Sequence, residues 1–244
     1  MPLPGEGRND LKPPGSKDGE RGETMKQGMV AFCVLVSLGL LGANRCGSNE
    51  PQCDYPFEIA FSDVEVGDTL GGPADFRWTT DVVNNRGEPQ LEEPIVMDSA
   101  EQENPVAVVS VKEDYENDRA WFNVVPFPGV ALLDDSGTQI VGGLFLMVVW
   151  PYEETQSGAV IEIGDIREDL PPQAAAFLFY GPADSSGRIV CFVQLDTGSC
   201  QGEITIDDFS GDTLSAHMEG SNYPISEDEI LYLTEQGLSL CEEG

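Results

Sequence analysis

The sequence predicts an all-β fold, an antiparallel β-sandwich (or, as the alternative, a partly open β-barrel), preceded by a signal peptide and a disordered N-terminal extension. Three observations predict it. Short segments from Phe57 onward alternate apolar and polar residues with period two. Clusters of Gly, Asp and Ser recur between them at spacings of about ten residues, as in sandwiches and barrels. No segment beyond Phe57 sustains a helical period.

In chain order, Phe57–Phe61 and Phe76–Val82 alternate cleanly, with turn residues at 67–73 and 84–90. Strands follow at 106–112, 121–125 and 140–150. The last holds Gly142 and Gly143, which mark a bulge or bend, and an unbroken apolar run that predicts burial on both faces. Asp134–Gly137 reads as a turn. Pro and polar residues at 151–158 predict a seam between sub-regions. Further strands are expected at 159–163, 175–180, 188–195, 202–209 and 213–219, with a turn or two of helix at 165–170 and 227–236.

Ahead of these strands, Lys26 precedes eighteen uncharged residues whose heart, Met29–Ala43, is apolar, the pattern of a secretory signal. The predicted organisation is therefore a disordered extension or mis-assigned start over 1–24, a signal over 25–45, a tether over 46–56 and the β domain over 57–244. Met25 is the alternative initiator. Cys46 directly after the apolar stretch is the candidate lipidation site, although Arg45 stands where a lipobox takes a small residue. Ordinary cleavage after Ala43 is the rival.

The chain carries 44 Asp and Glu against 12 Lys and Arg, a net charge of −32. Six of the basic residues lie within 1–45, so the rest holds 39 acids and six bases, with Lys112 its only lysine. Such a surface repels nucleic acid and anionic lipid headgroups, so membrane contact is expected only through the leader or a lipid anchor. It remains soluble at high salt and attracts cations.

Cys33 leaves with the signal, and five cysteines follow it. Exported proteins pair their cysteines. With Cys46 lipidated, Cys53, Cys191, Cys200 and Cys241 make two bridges. Cys191 and Cys200 flank what reads as a hairpin turning at Asp196–Gly198, which favours Cys191–Cys200 with Cys53–Cys241. No CxxC occurs and His217 is the sole histidine, so zinc is not expected.

The stretch Cys200–Ala216, a Gly-Glu-Ile-Thr-Ile strand running to a Gly-Asp turn and a returning Leu-Ser strand, resembles a hairpin of uncharacterised bacterial extracytoplasmic lipoproteins with a β-sandwich domain. Ala216 stands where those proteins carry Gly. The resemblance spans about thirty residues plus the leader, and implies location and fold class.

The residues offer little catalytic chemistry. His217 alternates onto the same face as Ser215 and Glu219 but has no nucleophile motif beside it. Asp196-Thr-Gly occurs once, and an aspartic dyad needs two. Calcium is the better candidate, at Asp114, Glu116 and Asp118 and at Asp207, Asp208 and Asp212, since acidic loops supply its oxygen ligands. Trp78, Trp121 and Trp150 read as core, with a glycan-stacking platform as the alternative. The expectation is an exported, lipid-anchored, non-catalytic envelope or surface protein binding calcium, a glycan or a protein. A carboxylate-dependent, glycosidase-like hydrolase is the alternative.

Overall fold

The computed structural model describes residues 52–114, 119–134, 136–167 and 174–241. Over these residues the chain is all-β, sandwich-like and antiparallel. Its strands are β1 (Tyr55–Glu65), β2 (Gly72–Thr80), β3 (Val82–Val83), β4 (Ile95–Asp98), β5 (Val106–Asp114), β6 (Arg119–Phe127), β7 (Val130–Leu133), β8 (Ile140–Pro151), β9 (Val160–Ile163), β10 (Ala175–Pro182), β11 (Val193–Phe209), β12 (Thr213–Asn222) and β13 (Ile225–Ser226). Helix α1 (Glu227–Gln236) follows, where a short helix was expected.

Eight strands form an up-and-down circuit in the order β1, β2, β5, β6, β8, β10, β11, β12, and β12 pairs back onto β1. An even number of strands lets every pairing around the circuit be antiparallel. The circuit folds into two faces because two strands change partners along their length. β11 pairs β10 through Val193–Gly198 and then β12 and β9 through Ser199–Phe209. β2 pairs β5 at Gly72 and Pro73, then β1 and β4 further on. We call β1, β2, β4, β9, β12 and the second half of β11 the front sheet, and β5 to β8, β10 and the first part of β11 the back sheet.

The corner in β11 depends on Gly198, where a Cβ would collide with the carbonyl oxygen of Ala176, and register shifts between Ser199 and Gln201. Side chains inside the circuit form one core. Phe57, Ile59 and Phe61 on β1 face Trp78, Phe76 and Ala74 on β2 and Gly220, Met218 and Ala216 on β12. Gly220 opposes Gly202 on β11, and the Phe57 ring lies over Gly220, filling volume that a side chain would otherwise supply. In the back sheet Trp150 is fully buried, stacks on Phe122 at 5.3 Å and donates its indole N–H to Thr155 Oγ1 at 2.9 Å. That bond closes the turn after β8, so the segment 151–158 carries the chain from back sheet to front sheet. It is no seam, since the residues on both sides belong to one compact unit.

Two turns share one device. Asp134 Oδ1 accepts from the amides of Thr138 and Gln139, and Asp184 Oδ1 accepts from those of Ser186 and Arg188. At Asp184 the Ser186 hydroxyl, the largest contributor, and these amides hold the carboxyl below the usual Asp range, and at Asp134 the Thr138 amide, the Ser136 hydroxyl and the Gln139 amide do the same. A Gly with positive φ follows in each, Gly137 and Gly187.

Four expectations are corrected. The stretch 188–195 is a strand only from Val193. Asp165–Arg167 is not helical, and 168–170 lies outside the described residues. No hairpin turns at Asp196–Gly198, because β11 continues through it as one strand of 17 residues that bends without reversing. The disulfides consequently differ from the expected Cys191–Cys200 and Cys53–Cys241. Two cysteines nine residues apart on one chain direction cannot face each other across a ladder. The bridges are Cys53–Cys200, tying the start of β1 to β11, and Cys191–Cys241, tying the approach to β11 to the end of the C-terminal helical segment. Cys46 and the leader lie outside the described residues.

Replacing Gly220 by Val places side-chain atoms where Cβ alone lies 2.6 Å from both the Gln201 carbonyl oxygen and the Phe57 ring. Urea unfolding is expected to show a loss of about 1–3 kcal/mol.

Candidate functional site

The outer face of the front sheet concentrates the charge. Alternation that sends Phe57, Ile59 and Phe61 inward sends Glu58 and Ala60 out, and the same holds on each neighbouring strand. Register then places carboxylates side by side. Glu162 on β9 opposes Glu203 on β11, Glu203 opposes Glu219 on β12, and Glu219 opposes Glu58 on β1. Directly opposed residues hold their Cβ atoms about 4.5–5.5 Å apart, where like charges repel. The row continues to Arg77 on β2, which opposes Glu58, and ends at Asp98 on β4, whose Oδ2 lies 3.9 Å from Arg77 Nε.

One residue pair further along, His217 lies outward between Ala60 and Thr205, with Nδ1 at 3.0 Å from Asp207 Oδ2. Glu58, Asp75, Arg77, Asp98, His217 and Glu219 together rim a shallow open depression floored by backbone and by Ser99. Ser99 is buried and accepts the Phe76 amide at 3.0 Å, so this floor is fixed. β12 alternates without a break, Leu214, Ala216 and Met218 facing the core, so Ser215 keeps the face of His217 and Glu219 as expected. It is buried because the β1 bulge between Phe61 and Val64 brings the Asp63 amide to its hydroxyl at 2.8 Å.

The residues singled out for calcium are scattered among other tasks. Asp207 faces His217. Asp208 Oδ1 accepts from Ser157 Oγ at 3.0 Å, and that oxygen accepts the Phe209 amide, so Asp208 anchors the β8–β9 connection to β11. Asp212 contributes its carbonyl to the Val66 amide. Asp114 ends β5 opposite Arg119, and Glu116 and Asp118 lie outside the described residues. Among the described residues no three His, Cys, Asp or Glu side chains meet in a metal-holding group. The tryptophans divide: Trp78 and Trp150 are core, and Trp121 is partly exposed on the back sheet.

Sequence reasoning missed the carboxylate row because the row exists only across strands. It also missed Glu229. That residue projects from α1 and accepts the Asp196 amide through Oε1 at 2.7 Å. Burial, reinforced by the Asp196 charge, pushes its carboxyl above the usual Glu range, while the amide bond opposes the shift. At the same end of the circuit, Thr80 Oγ1 and both side-chain polar atoms of Asn222 are buried with no hydrogen-bond partner. Tyr55, paired with Asn222 in register, has its phenol raised by burial and by Asp81.

Compared with protein-family models, curated proteins and solved structures, the chain matches none.

Two outcomes follow. Glu203→Lys replaces two like-charge neighbours by two opposite-charge ones, so stability should rise by about 0.5 kcal/mol at low salt. The gain should vanish near 1 M salt, where the screening length is about 3 Å. For Glu229, the folded carboxyl binds its proton more tightly than the unfolded one. Its contribution is fully present below the unfolded value of 4.5 and lost as pH rises through the higher folded value. Glu229→Gln keeps the acceptor for Asp196 and should raise Tm at neutral pH, flattening the decline above pH 4.5.

Proposed function

We propose that this is an exported, lipid-tethered surface or envelope protein that acts without catalysis, presenting a carboxylate face to cations or to a cationic partner outside the cell. The observation that carries this reading is the row Glu162–Glu203–Glu219–Glu58, four acids in register across four adjacent strands. Sheet proteins avoid such a row unless the surroundings screen it or a partner neutralises it. The reading draws support from two bridges formed by all four cysteines of the described residues, since such bonds persist in oxidising compartments. It draws further support from the apolar leader and Cys46, which stand shortly before the start of β1.

The cations meant here are a diffuse atmosphere held by the face as a whole, including the open depression beside His217. A glycan or protein carrying amines would bind by the same attraction, and salt would weaken it.

The deciding measurement is the intact mass of the protein from its native membrane fraction, without reductant. The expected chain begins at Cys46, is heavier by acyl groups and lighter by four hydrogens. An unacylated soluble chain beginning at Asn44 would overturn the tether. Recovery of four free thiols would overturn export.

A further inference from the structure

We propose that the outer face of the back sheet is a self-association surface, on which a second copy of this chain packs face to face. Alternation in the back sheet sends Phe122, Val124, Leu146 and Val148 into the core and leaves the opposite parity facing out. In an ordinary sandwich that parity is polar. Here it is apolar across strands. Val108 opposes Val125, and Met147 opposes Phe177, while Phe145, Ala175 and Phe179 on the same parity are already covered within one copy, Phe127 packing on Phe145 with ring centroids 5.6 Å apart. Val108, Val125, Met147, Val149 and Phe177 are each partly exposed, and none is among the side chains packed on the main core.

Charge selects the occupant. The outward positions of β6, β8 and β10 hold no Asp or Glu, although residues 46–244 carry 39 acids. A cationic partner has nothing to bind on this face and everything to bind on the front sheet. Two copies of the face, by contrast, meet neutral surface to neutral surface. With sheets about 10 Å apart, such a stack of four places the two acidic front faces roughly 30 Å from each other. That is several times the screening length of about 8 Å at physiological salt, so the net charge does not oppose pairing in this orientation. With β5 and the first part of β11 at its margins, the latter carrying the exposed Asp196, the face is five strands about 4.8 Å apart, each with about six residues of contact, roughly 500 Å² per copy. Two copies together therefore reach about 1,000 Å², the lower bound for a specific interface, so the association expected is weak and concentration-dependent.

Sedimentation velocity of the protein recovered from its own host, from about 1 to 200 μM, tests this. The wild type is expected to pass from monomer to dimer, with the midpoint moving to lower concentration as salt rises. Met147→Glu should remain monomeric throughout with its Tm unchanged, while Glu203→Lys, on the front sheet, should leave the dimer intact. Val125→Lys serves the same purpose if Met147→Glu does not fold. A wild type that stays monomeric to about 200 μM overturns the proposal, as does a dimer that survives both substitutions. Cosedimentation of a monomeric wild type with phosphatidylcholine vesicles, lost in Val125→Lys, would overturn the dimer and make a lipid surface the occupant.

Discussion

Every property of this molecule depends on a single register around the eight-strand circuit. A strand displaced by one residue would carry Glu58 or Glu219 into the core and Ile59 or Met218 out of it. On the front sheet that exchange buries charge, which costs several kcal/mol per ion. The contrast between the two parities therefore sets the pairing, and the same contrast produces the carboxylate row as its unavoidable outer image. Where a strand must break register, at Ser199–Gln201 and Ile206–Asp208 on β11, the shift is absorbed locally and the alternation resumes.

The strands were legible because alternation is a local signal. Phe57–Phe61, Phe76 to Thr80 and Leu214–Met218 each show their buried face without reference to any neighbour. Short additions such as β3, β4, β7 and β13 were not legible, since two to four residues seldom carry a period, the alternating Val160–Ile163 of β9 being the exception. The cysteine pairing failed for a related reason. Asp-Thr-Gly has the chemistry of a turn, yet Thr197 is buried and Gly198 is needed where two backbones crowd, so the triplet serves a corner inside a continuous strand. The carboxylate row was invisible because Glu162, Glu203, Glu219 and Glu58 are neighbours only through three registers that no local pattern encodes.

The back sheet shows the same limit from the other side. The apolar run of β8 predicts burial on both faces, and Leu144 to Trp150 is indeed buried along its inward parity. On its outward parity Phe145 is buried as well, whereas Met147 and Val149 retain exposure. The two outer faces of one molecule thus differ in kind. One is crowded with carboxylates and depends on the ions around it, while the other is oily and depends on what it excludes.

The pairing of β1 with β12 has a consequence for the order of events in the life of the chain. The partner of the first long strand is the last long strand, more than 150 residues away, with Cys53 and Cys200 bonded beside it. Synthesis therefore delivers an open sheet with an unpaired leading edge, and the circuit shuts only when the residues after Thr213 arrive. Topology thus withholds the final shape until the far end of the chain is available, and the disulfides then lock a structure that had no earlier opportunity to form.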